Sequence, residues 1–119
     1  MDIFEATKKG IKTTISELLK SGIKINCQDK NGMTPLMISI DNRNIEIVKF
    51  ILGNRPNLDI VAKYNQTALM LAAGRGNIGI VKAILICKPN KKLKSKSGLT
   101  AYDFAYENGH YEIAKLIGN

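Results

Sequence analysis

The chain has 119 residues, of which 45% are hydrophobic and 24% charged, and its formal net charge is +8. That balance describes one folded domain and excludes a disordered polyelectrolyte, and no apolar run approaches the roughly 20 residues that a bilayer-spanning helix requires. The two cysteines, Cys27 and Cys87, fall at unrelated places and suggest no disulfide framework, so a reducing, cytoplasmic setting is expected.

In chain order, the phrase Ile3-Phe4-Glu5-Ala6 opens a first helix, and Lys12 through Leu19 form a second. The pair returns as Thr34-Pro35-Leu36-Met37-Ile38-Ser39 with Ile45 through Leu52. It returns again as Thr67-Ala68-Leu69-Met70-Leu71-Ala72 with Ile78 through Leu85, and as Thr100-Ala101-Tyr102-Asp103-Phe104-Ala105 with Tyr111 through Gly118. The interval from Thr34 to Thr67 to Thr100 is 33 residues each time. A fixed period of this length means stacked units rather than a single globule. One domain over 1–119 is expected, with units at about 1–33 (an N-terminal cap), 34–66, 67–99 and 100–119 (a C-terminal cap). In Ile45–Leu52 and Ile78–Leu85 the apolar residues share one side and Lys49 and Lys82 the other, as in an amphipathic helix. Leu36, Ile47, Val48, Ile51, Leu52, Leu69, Val81, Ile84 and Leu85 are the expected core between units.

Turn chemistry sets the boundaries. Thr34 followed by Pro35 is a helix cap with proline at the first helical position, where a missing N–H costs nothing. Gly76 and Gly109 suit a left-handed residue closing the first helix of their units. Arg43 stands in that slot one unit earlier, and a positive φ there would strain it by roughly 1 kcal/mol. Asn44, Asn77 and His110 begin the second helices, so His110 is expected to cap. Asn31-Gly32 and Ser97-Gly98 are turn dipeptides, and Asn65, in the place of Gly32 and Gly98, tolerates the left-handed region.

Residues 22 to 36, Gly-Ile-Lys-Ile-Asn-Cys-Gln-Asp-Lys-Asn-Gly-Met-Thr-Pro-Leu, resemble the connector and helix start of an ankyrin repeat. Leu71 through Lys82 is similar to that family's helix-turn-helix segment, and the likeness runs over essentially the whole chain. The resemblance implies an all-α solenoid of about four helix-turn-helix units with hairpin-like connectors. Met37, Met70 and Asp103 replace the family's histidine, and Arg55 and Lys88 replace its usual glycine after the second helix.

The resemblance also implies a binding function through the concave groove made by connector tips and first helices. The corresponding slots hold Lys30, Asn31, Met33, Asp41 and Asn42, then Lys63, Tyr64, Gln66, Gly74 and Arg75. In the last unit they hold Lys96, Ser97, Leu99, Glu107 and Asn108. Tyr64 and Arg75, of residue types enriched at interface hot spots, are the foremost candidates, flanked by Met33 and Leu99. The expected partner is a protein, and the expected state is a monomer.

Charge offers a second reading. Residues 67–99 carry seven bases and no acid, whereas 100–119 carry one base and three acids. The excess centres on Lys88, Lys91, Lys92, Lys94 and Lys96, a basic patch that would suit an acidic protein or, less well, nucleic acid or an anionic membrane. No aromatic residue lies between Tyr64 and Tyr102, and lysines outnumber arginines 15 to 3, which disfavours nucleic-acid readout. No phosphate-binding loop, metalloprotease phrase, paired Cys-x-x-Cys or nucleophile elbow is present. Catalytic, cofactor and metal residues are therefore all expected to be none. The acidic start, Met1-Asp2-Ile3-Phe4-Glu5, is already in register and unlike a signal peptide, although a secreted effector is also compatible.

Overall fold

The computed structural model describes residues 1–118. Among them are eight α-helices and no strands: α1 (Ile3–Lys9), α2 (Lys12–Lys20), α3 (Pro35–Asp41), α4 (Ile45–Leu52), α5 (Ala68–Arg75), α6 (Ile78–Ile86), α7 (Ala101–Glu107) and α8 (Tyr111–Ile117). The first helices α1, α3, α5 and α7 pack in series, and α4, α6 and α8 form a second layer behind them. The stack measures 40 × 25 × 21 Å. This is an all-α ankyrin-type solenoid, as the repeat implies. Among the described residues no helix is long and apolar enough to cross a membrane.

Short helices need their ends satisfied, and the threonines do this once per unit. Thr34, Thr67 and Thr100 accept hydrogen bonds through Oγ1 from the N–H of Met37, Met70 and Asp103, at 3.3, 3.2 and 3.3 Å. Asp103 returns the favour, Oδ2 accepting from the Thr100 N–H at 3.0 Å, which closes a capping box. Met1 has no oxygen to offer in the equivalent slot, so Asp2 caps α1 and that helix starts one residue later in the register.

The core is a single column running through all four helix pairs. Leu36, Ile47, Val48, Ile51, Leu52, Leu69, Val81 and Ile84 are buried as expected, whereas Leu85 is only half-buried. Ile15 and Ile117 extend the column to either end, and Ile80 lies within it. On the outer side of the last unit, Tyr106 stacks on Tyr102 at 6.1 Å and meets Tyr111 edge-on at 5.1 Å. Tyr106 and Tyr111 are exposed in slots held earlier by Ile40 and Ala73, and by Ile45 and Ile78.

Left-handed backbone recurs in three slots, 33 residues apart. Arg43 (φ 55°) shares one with Gly10, Gly76 and Gly109; Arg55 (53°) and Lys88 (54°) share a second with Gly22; Asn65 (56°) shares a third with Gly32 and Gly98. The solenoid imposes the conformation whether or not the residue suits it, at about 1–2 kcal/mol for each of the long side chains. Among the described residues, Tyr64 (φ 62°) is the one non-glycine outlier outside these slots.

His110 corrects an expectation. Asn44 and Asn77 do cap their helices, accepting from Ile47 N–H at 3.2 Å and Ile80 N–H at 3.1 Å, but the His110 side chain makes no capping bond to α8. Its ring lies instead against Gly76 of the preceding unit, so closely that a Cβ there would overlap it. An imidazole is longer and wider than a carboxamide, and it fills the space over the glycine rather than turning back to its own helix.

Candidate functional site

Each connector folds into the same tip. Asp29 N–H donates to Met33 O, Ala62 N–H to Gln66 O and Ser95 N–H to Leu99 O, at 2.9, 2.9 and 2.8 Å. The side chains that support the tips differ. Asp29 Oδ1 accepts from the N–H of Asn31 and Met33, and Ser95 Oγ from the N–H of Leu99. Ala62 has no oxygen to offer. There the chain turns through Tyr64 (φ 62°, ψ 24°) and Asn65 (φ 56°), with Gln66 N–H reaching Lys63 O at 3.4 Å, a type I′ turn. The left-handed residue expected at 65 is therefore one of two.

Neighbouring tips are bonded to one another. Gln28 Nε2 donates to Val61 O at 3.0 Å, and Lys96 N–H donates to Tyr64 O at 2.7 Å. Tyr64 is thus pinned through its carbonyl while the residue stays 67% exposed. Beside it lies a shallow concavity of about 300 Å³, lined by Asn31, Met33, Asp41, Lys63, Tyr64, Gln66 and Arg75. All seven were placed in the groove from sequence, and the units 1–33, 34–66 and 67–99 all contribute to it. Ala62 and Leu71 also line it and were not anticipated. Leu71 sits in the middle of α5 and is half-buried, packed against the core.

Two of the groove residues also join units. Arg75 Nε donates to Asp41 Oδ1 at 2.8 Å, and Asn42 Nδ2 donates to Lys8 O at 3.2 Å. These are the same contact one unit apart. The remaining expected residues lie away from the concavity. Lys30 and Lys96 are exposed on the outer tips, Ser97 Oγ bonds Ser95 Oγ at 3.0 Å, Leu99 is half-buried, and Asn108 Nδ2 folds onto Phe104 O at 2.7 Å.

The five lysines of the basic connector are divided. Lys91 Nζ donates to Ile117 O at 2.7 Å, satisfying a carbonyl at the end of α8. This explains why a lysine stands where Ile25 and Leu58 stand in earlier units. Lys88 holds the left-handed turn after α6 beside Pro56, Leu58 and Cys87, while Lys96 belongs to the groove tip. Lys92 and Lys94 are exposed between them.

Among the described residues no group of three or more His, Cys, Asp or Glu is placed to hold a metal. Burial raises the Cys27 thiol above its ordinary range, a hydrogen bond with its own backbone opposes this, and the Asp2 charge adds to it. A thiol held protonated is a poor nucleophile.

A family model described as ankyrin repeats (3 copies) matches residues 3–94 and 44–119. Over 60 residues, half of this chain, it is 37% identical to Ankyrin repeat protein 14 of vaccinia virus (strain Western Reserve), covering 25% of that protein. It is equally similar over 60 residues to an ankyrin repeat domain-containing protein, OPG023, of monkeypox virus, covering 9% of it. Rabankyrin-5 of Mus musculus is 30% identical over 61 residues, 5% of its length. The chain thus spans a quarter or less of these relatives. The 33-residue period, the paired helices and the family match together establish that this chain belongs to the ankyrin repeat family.

Proposed function

We propose that this chain is a non-enzymatic recognition module that holds a protein partner in its concave groove, with Tyr64 and Arg75 at the centre of the contact. Ankyrin repeats are generally protein–protein interaction modules and are typically without enzymatic activity. The observation that carries the finer reading is Tyr64. A bulky residue, 67% exposed beside a cavity, is held in a left-handed turn and fixed through its carbonyl by Lys96. Strain of this kind at an exposed aromatic residue does nothing for folding and supports a role in binding. A groove preassembled by bonds between tips needs little further ordering when a partner binds.

The polyanion reading of the lysine connector has less behind it, because Lys91 is occupied at the end of α8 and Lys96 belongs to the groove. Free Cys27 and Cys87 support a reducing, cytoplasmic setting.

The test is affinity capture from a nuclease-treated lysate of the source cell. Wild type is compared with a Tyr64→Ala/Arg75→Ala double variant. A protein retained by wild type and lost by the variant supports the groove; equal retention rejects it.

A further inference from the structure

The groove carries a regular feature that a general binding role leaves unused. Lys30, Lys63 and Lys96 recur at the 33-residue interval, so each of the three tips presents one lysine in the same slot. All three are exposed, and none forms an ion pair among the described residues. The backbone pairs that close the tips, and the Gln28 and Lys96 bonds between tips, hold the three slots in a row. Nearby carboxylates do little to offset them. Asp41 is paired with Arg75 and Glu107 lies at the far end of α7; Asp29, whose Oδ1 accepts from its own tip, keeps its charge beside Lys30, so the row of lysines is offset at its first tip only.

On this basis, and resting on the groove reading above, we infer that the partner segment is an acidic, extended peptide with a carboxylate at every third residue. The spacing follows from geometry. Helices packed side by side lie about 8–10 Å apart, and α3, α5 and α7 set the step from one tip to the next. A polyproline II segment rises about 3.1 Å per residue with three residues per turn, so positions i, i+3 and i+6 share one face at about 9 Å intervals. A β-strand alternates faces and would turn every second such carboxylate away. The residues between the acids face the concavity, where Met33, Tyr64 and Leu71 offer an apolar floor.

The experiment displays two peptide libraries to the purified chain. In one, glutamate is fixed at every third position and the intervening positions are random; in the other, the same number of glutamates is contiguous. Each is selected on wild type, on a Lys30→Gln/Lys63→Gln/Lys96→Gln variant and on the Tyr64→Ala/Arg75→Ala variant. The expected result is enrichment from the spaced library alone, with binders losing about tenfold or more in affinity on the triple lysine variant, as several cooperating charge pairs imply. Equal enrichment from both libraries, undiminished binding to the lysine variant, or no enrichment at all overturns the inference. Binders that ignore the lysines but are lost with Tyr64 and Arg75 overturn the acidic spacing and leave the groove standing. Binders indifferent to Tyr64 and Arg75 count against the groove itself.

Discussion

Arg75 Nε donates to Asp41 Oδ1 at 2.8 Å, carrying the third unit's first helix back onto the second's. The contact repeats the Asn42-to-Lys8 bond one unit later, but with a charged side chain in place of a backbone carbonyl. Arg75 is therefore positioned by its own fold before any partner arrives. Both side chains remain partly exposed, so the pair is worth about 0.2–1 kcal/mol to stability.

Replacing Asp41 with Asn separates positioning from folding. Urea unfolding of Asp41→Asn should move by no more than about 1 kcal/mol. Affinity for the captured protein should fall, because Arg75 loses its fixed orientation. A large drop in stability with unchanged binding contradicts this assignment.

Gly76 and Gly109 occupy the same left-handed slot, yet a Cβ at Gly109 meets nothing while one at Gly76 runs into His110. Gly109→Ala should cost about 1–2 kcal/mol for its backbone alone. Gly76→Ala should cost more, about 2–4 kcal/mol, with the excess recovered when His110→Ala is added. Chemical denaturation of the three variants checks the cycle.

Arg55 and Lys88 stand where Gly22 stands in the first unit, and all three residues are left-handed. Lys88→Gly should stabilise the chain by roughly 0.5 kcal/mol, since relief of strain exceeds the added freedom of the unfolded glycine. Arg55→Gly should behave alike, and the midpoint of thermal unfolding reports both.

Cys87 is exposed and Cys27 half-buried, with its thiol raised mainly by burial. A thiol reagent at neutral pH should label Cys87 first, and Cys27 only after a lag that vanishes on unfolding. The sign of the pH effect follows. The Cys27 contribution to stability is full below the ordinary thiol range and falls as pH rises through it, because the unfolded thiol ionises first. A Cys27→Ser variant should lose that alkaline decline.

Much of this was legible in the sequence because the chain repeats itself. Thr34, Thr67 and Thr100 announce caps by residue type, and Arg43 is marked as left-handed by the glycines that share its slot. Seven groove residues could be named because the ankyrin resemblance assigns contacts to their slots in the repeat. What stayed hidden depends on contacts between units. His110 reads as a cap until the glycine one unit back offers it space. Lys91 reads as a free charge until the end of α8, 26 residues on, arrives beside it. Tyr64 was recognised for its chemistry, but its left-handed backbone shows only in the folded tip, where it turns the chain together with Asn65.

Tyr64→Asn tests the central claim most directly, because asparagine accepts the left-handed turn and removes the ring. Stability by urea unfolding should rise by about 0.5–1 kcal/mol. Affinity for the protein captured by wild type should fall at least about tenfold. A variant that is more stable yet binds as tightly as wild type would show that the strained tyrosine serves no partner, and the groove assignment would not survive it.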